Sequence, residues 1–162
     1  MFLSKHKVDP EHLSTMYNIA DCTISVSDAE GFGLATLESL ACETPIIVTM
    51  TGGLQEQVTD GENWFGIGLE PTSKAIIGSQ EIPFIYEDRL SEEVVVDALK
   101  KMYNMTKEQR EELGRAGREH VLNNYSPEQY AKQWEELFDK VVEKHGSWDT
   151  RKGYKAWELI EV

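Results

Sequence analysis

CTISVSDAEGFGLATLESLACETPIIVT, residues 22 to 49, decides the fold class. It opens on Cys22-Thr-Ile-Ser-Val-Ser27, a short run rich in β-branched residues and therefore a strand. After a break at Asp28–Gly33, Leu34, Leu37, Leu40 and Ala41 recur on one face at helical spacing. Thr44-Pro45 ends that helix, because proline has no N–H to donate and drives its predecessor out of helical backbone. Ile46-Ile47-Val48-Thr49 is continuously apolar up to its last residue, the pattern of a strand covered on both faces of a parallel sheet.

The alternation extends on both sides. Asp9-Pro10-Glu11 is a helix start, and Leu13, Met16, Tyr17 and Ala20 follow on one face. Gly52-Gly53 turns into a short helical stretch, Leu54 to Val58, and Asp60-Gly61 turns toward a strand at Phe65 to Leu69. Pro71, Gly78 and Pro83 interrupt residues 70 to 90, where Ile82 to Tyr86 fits a short edge strand. Beyond this the chain is helical. Ser91 caps a helix carrying Val94, Val95, Ala98, Leu99 and Met102, while Thr106–Gln109 and Ser126–Gln129 are capping boxes. The last helix puts Tyr130, Trp134, Leu137, Phe138 and Val141 on one side and stops near Gly146. The expected architecture is α/β: an incomplete Rossmann-like parallel sheet with a helical C-terminal half. Residues 1–146 form the expected domain. The tail 147–162, with Trp148, Tyr154 and Trp157, is too aromatic to stay unpacked and is expected against the domain or a partner.

Bulk properties remove several functions. The formal charge of −13 at pH 7 disfavours a nucleic-acid or anionic-membrane surface, since both call for clustered Lys and Arg. Cys22 and Cys42 lack metal-ligand spacing and read as buried free thiols in a reducing compartment. His6, His12, His120 and His145 are scattered and form no metal pair. The start, MFLSKHKVDP, has no apolar export core, and no apolar run is long enough to cross a membrane.

The loop between the first strand and its helix is where chemistry is expected, because ligands of open parallel sheets gather beyond the carboxyl ends of the strands. Gly31 and Gly33 let backbone N–H groups come close to a guest, and the helix N-terminus that follows favours a phosphate. Glu30 is a poor phosphate ligand but a good acceptor for sugar hydroxyls, and Glu38 lies one helical turn past Leu34. On spacing alone, Glu30 and Glu38 serve equally well as a solvated loop carboxylate and a helix-face carboxylate near the favourable dipole end. A dinucleotide fingerprint would need glycine where Thr36 stands, and neither a P-loop nor a G-x-S-x-G elbow is present.

Glu30-Gly31-Phe32-Gly33-Leu34-Ala35-Thr36-Leu37-Glu38 resembles the E-x7-E signature of the donor domain of GT-B retaining glycosyltransferases of the family 4 type. Tyr17, Ala20-Asp21 and Ser27 before it, and Thr44-Pro45-Ile46-Ile47 and Gly52–Gly61 after it, are similar to that family's pattern as well. The resemblance implies a hexosyl transfer from a UDP- or GDP-sugar, with retention and without a metal or other cofactor. It implies that Glu30, at the catalytic centre, contacts the transferred sugar. It further implies that the N–H groups of Gly31, Phe32 and Gly33 line the sugar and leaving diphosphate, that those of Leu34 and Ala35 hold the distal phosphate, and that Glu38 holds the ribose. The family's basic diphosphate pair and acceptor domain have no counterpart here, and Lys5 and Lys7 do not stand in that motif. The chain is therefore expected to be truncated on its N-terminal side and inactive alone, completed by an acceptor-domain chain or a homo-oligomer. The cytoplasm, where nucleotide sugars are made, is its expected location. A non-catalytic assembly module and a nucleotide-phosphate-binding domain without sugar chemistry are the alternatives on the same fold. Glu43 replaces the family's usual glycine, at an expected strain of about 1 kcal/mol if its φ is positive.

Overall fold

The computed structural model describes residues 7–150, 152 and 153. In chain order the elements are α1 (Pro10–Asn18), β1 (Thr23–Ser25), α2 (Leu34–Ala41), β2 (Ile46–Thr49), α3 (Leu54–Val58), β3 (Gly66–Leu69), β4 (Ser73–Ile77), β5 (Ile85–Arg89), α4 (Glu92–Asn104), α5 (Lys107–Asn124) and α6 (Pro127–His145). The chain divides into two compact units, Met1–Leu122 and Asn123–Val162.

The first unit holds a parallel sheet of order β1-β2-β3, with Ile24 opposite Ile47 and Ile47 opposite Ile67. The central strand is buried at every position, as its unbroken apolar run requires. Ile47, Ile67, Leu69, Ala98 and Met102 make a core cluster between the sheet and α4, with Val94 and Val95 packed against it. Full burial of a side chain such as Ile47 contributes about 1.5–3 kcal/mol. The α1 helix starts as expected, with the His12 N–H donating to Asp9 Oδ1 at 3.0 Å, yet none of its residues is buried. β1 is an edge strand among the described residues, and Ile24 and Val26 are correspondingly exposed.

Two expectations change. The short edge strand expected at Ile82–Tyr86 runs instead from Ile85 to Arg89, in an antiparallel hairpin with β4 apart from the main sheet, pairing Ile76 with Tyr86 and Ser73 with Arg89. Gly78 and Pro83, which suggested only broken structure, lie in its connecting loop. Cys22 and Cys42 are free thiols but only half-buried; partial burial is the main cause raising both above the ordinary thiol range.

Glu43 does adopt a positive φ of 60°. Its carbonyl lies where a side chain on Gly114 of α5 would have to go, and its carboxylate pairs with Arg118 at 3.7 Å.

In the second unit, Ser126 caps α6 by accepting from the Gln129 N–H, and Gly146 ends it with φ 80°. Tyr130, Trp134 and Phe138 form a ladder of rings at 6.1 and 5.3 Å. No residue of α6 is buried. Of the aromatic tail, Trp148 is exposed, and Tyr154 and Trp157 lie outside the described residues.

Candidate functional site

The loop from Val26 to Gly33 leaves the carboxyl end of β1 and enters α2 through Gly33, whose backbone is left-handed at φ 88°. A Cβ there would run into Leu54, and would stand 2.8 Å from Thr36 Oγ1, so glycine is required twice over. The helix that follows has no capping side chain and no acid in its first turn. Leu34 and Ala35 are exposed, so the positive end of the helix dipole faces outward at this point.

The loop is held from behind by α3. Gln57 is fully buried; its Nε2 donates to the carbonyls of Phe32 at 2.6 Å and Gly33 at 3.1 Å. Its Oε1 accepts from the Thr36 hydroxyl at 2.6 Å. The Gly53 N–H donates to the Gly31 carbonyl at 3.2 Å, and a Cβ on Gly53 would stand 2.8 Å from the Phe32 backbone. The Gly52-Gly53 pair is thus more than a turn: it is the surface on which the loop lies. Gly31, in contrast, has nothing within 4 Å of a hypothetical Cβ, so its lack of a side chain answers no packing need of the protein itself.

Both expected carboxylates belong to this stretch. Glu30 is half-buried and its Oε1 accepts from the Phe32 N–H at a long 3.4 Å. Glu38 is exposed on α2 and its Oε2 accepts from the Tyr17 hydroxyl of α1 at 3.0 Å. Burial first, then the Glu38 carboxylate, pushes the Tyr17 phenol up to about 12. Gly31, Phe32, Leu34, Ala35 and Glu38 are exposed along this loop and helix start, Glu30 is half-buried, and Gly33 is buried between them. Sequence reasoning missed the residues behind it. Gln57 carried a usable signal, an amide between buried Leu54 and Val58 in a five-residue helix, whereas Thr36 counted only against a dinucleotide motif.

A cavity of about 920 Å³ lies elsewhere, at the amino ends of β1 and β2, lined by Asp21, Thr44, Pro45, Arg110 and Arg118 among others. Its arginines are engaged: Arg110 with Asp21 at 3.1 Å, Arg115 with Glu111 at 3.9 Å, Arg118 with Glu43. Each of these cations already has a carboxylate partner within the protein, and we place the candidate site at the loop. Among the described residues no group of three or more His, Cys, Asp or Glu side chains could hold a metal ion. No helix among them is long and apolar enough to cross a membrane.

Residues 3–75 match the family model described as Glycosyl transferases group 1. Curated relatives are glycosyltransferases. The D-inositol 3-phosphate glycosyltransferase of Acidothermus cellulolyticus is 46% identical over 54 residues, 33% of this chain and 12% of that protein. The protein of the same name from Arthrobacter sp. is 39% identical over 81 residues, 50% of this chain and 18% of the relative. Among solved structures, sucrose-phosphate synthase from Thermosynechococcus elongatus superposes with a TM-score of 0.61 at 26% identity, over 85% of this chain and 29% of that one. The catalytic domain of Starch Synthase IV from Arabidopsis thaliana, bound to ADP and acarbose, gives 0.58 at 21% identity over 85% and 26%. The matched part of this chain spans less than a third of each of these proteins. Its fold, a parallel sheet with a helical C-terminal half, is that of GT-B glycosyltransferases.

Proposed function

We propose that Glu30–Glu38 binds the donor of a glycosyl transfer, a nucleoside-diphosphate sugar such as a UDP- or GDP-sugar. The observation that carries this is the bare start of α2: no capping side chain and no first-turn acid, at the end of the loop that leaves the carboxyl end of a parallel strand. Outward N–H groups and the helix dipole suit a diphosphate at that place. The N–H groups of Leu34 and Ala35 take the distal phosphate, and those of Gly31, Phe32 and Gly33 line the sugar and the leaving diphosphate. Phe32 exchanges its long bond to Glu30 for the ligand. Glu30 accepts from hydroxyls of the transferred hexose, and Glu38 from the ribose, through the carboxylate oxygen that Tyr17 does not hold.

Transfer in this scheme retains configuration and uses no metal. The bond from the anomeric carbon to the diphosphate oxygen breaks with its electron pair staying on that oxygen, an acceptor hydroxyl oxygen bonds on the same face, and its proton passes to the leaving diphosphate. Backbone donors aimed at the leaving diphosphate supply the electrostatic stabilisation of an oxocarbenium-like transition state. We assign the chain the donor half of this reaction in the cytoplasm. The acceptor side of the reaction falls to a separate domain or a second copy.

Titrating UDP-glucose, GDP-mannose and ADP-glucose while following backbone amide NMR signals tests the assignment. Shifts at Gly31–Ala35 that vanish in Glu38→Ala are expected. Amides that stay unmoved by all three donors would overturn donor binding. The exposed Tyr130–Trp134–Phe138 ladder favours a second role, assembly through α6. A strict monomer by light scattering counts against that role.

A further inference from the structure

The β4–β5 hairpin is a poor candidate for independent stability: two short strands, with Ile76, Phe84 and Tyr86 exposed. Its base is different. The Arg89 carbonyl accepts from Thr72 twice, from the N–H at 2.9 Å and the hydroxyl at 3.1 Å. The Arg89 guanidinium contacts three partners at once: Asp28 Oδ2 at 2.9 Å, Glu87 Oε2 at 2.6 Å and the Asp88 carbonyl at 3.0 Å. The Asp88 N–H donates to the Asp28 carbonyl at 2.8 Å. Asp28 stands two residues before Glu30. The stretch that carries Glu30 is therefore tied at one end to the hairpin through Asp28, and at the other to α3 through Gly31, Phe32 and Gly33.

We propose that the hairpin base is a brace for the donor loop and that Arg89 is its positioning residue. Lone exposed ion pairs contribute little, but a planar fork shared among a carboxylate pair and a carbonyl holds a geometry that a single contact cannot. Lysine keeps the charge and loses the fork. The brace sets where Glu30 sits relative to the Leu34–Ala35 amides, and rests on the donor-loop assignment for its functional meaning. Its structural half stands without it.

The test has two readouts on the whole chain: amide hydrogen exchange, and affinity for UDP-glucose, GDP-mannose and ADP-glucose. Arg89→Ala is expected to speed exchange at Asp88 and Gly53, the amides that hold the loop through the Asp28 and Gly31 carbonyls, about tenfold or more while leaving Ile46–Thr49 unchanged. It is expected to weaken whichever donor binds by about tenfold, with Arg89→Lys in between. Should Arg89→Ala not fold, Asp28→Asn, which removes the ion pair from the other side, is expected to show the same pattern more weakly. Unchanged loop exchange in the variants overturns the brace. A loop that loosens without any loss of donor affinity overturns its role in positioning. If wild type binds none of the three donors, the donor assignment fails, and exchange alone still decides the brace.

Discussion

Among the described helices of eight residues or more, α2 begins differently from the rest. Asp9 caps α1, Ser91 caps α4, Thr106 and Gln109 form the reciprocal box of α5, and Ser126 caps α6. In each, a side chain of the protein takes up N–H groups that would otherwise lack a partner. At α2 that place is held by Gly33, which has no side chain to offer. The chain instead invests in the other side of the same turn, where Gln57 and Thr36 occupy the carbonyls of Phe32 and Gly33. Helix starts closed by their own residues are structural. The start of α2 is pinned from behind and open in front, and the proposed donor site rests on that difference.

The largest effect that could break this contrast comes from Gly33→Ala. Left-handed backbone plus overlap with Leu54 and Thr36 should cost about 3–4 kcal/mol, read from urea unfolding. A loss no greater than that of an ordinary cap would show that the turn tolerates other geometries. Gln57→Ala should cost about 1–3 kcal/mol, because the Phe32 carbonyl loses its amide donor and a buried amide is removed, while the Gly33 carbonyl keeps the Thr36 hydroxyl and the Leu37 N–H. It should also speed amide exchange at Leu37 and Gly53, whose N–H groups hold the Gly33 and Gly31 carbonyls, a change that α4 would not share.

Ser126→Ala and Ser91→Ala set the scale for capped starts, at about 1 kcal/mol each in thermal or urea unfolding. Glu43→Gly should be stabilising by up to about 1 kcal/mol, since relief of the positive φ outweighs the loss of a half-exposed pair with Arg118. A destabilised variant would mean that the Arg118 contact matters more than the strain.

The smallest expected effect is in pH dependence. Tyr17 holds its proton more tightly folded, at about 12, than unfolded, where a phenol titrates near 10. Its contribution to stability is then fully present below about pH 10 and is lost as pH rises through about 12. Tyrosinate absorbance of wild type minus Tyr17→Phe should show the late-titrating phenol. An ordinary titration would break the link between Tyr17 and Glu38.

Much of the front half was legible in the residues themselves. The β2 run Ile46–Thr49 and the α2 face Leu34–Ala41 announce their elements by period alone, and Pro45 marks the boundary between them. The continuous stretch Glu30–Glu38 was legible for the same reason: its members are neighbours in the chain. The hairpin was not, because Ser73–Ile77 has no alternation of its own and becomes a strand only when it pairs with Ile85–Arg89. The apolar side of α6 was read correctly as a stripe but gave no information on its cover, and none of its residues is buried.

The sequence by itself determined the alternation of strands and helices, the caps, and the place of the glycine-containing loop, because each depends on residues within a turn or two of one another. Only the tertiary structure decided what holds that loop. Gln57 lies 25 residues from Phe32, and Arg89 meets Asp28 from a separate hairpin. Local preference falls silent over such distances. A buried amide or a guanidinium fork finds its partners through the packing of whole elements, and no short pattern in the chain records which carbonyl or carboxylate it will reach.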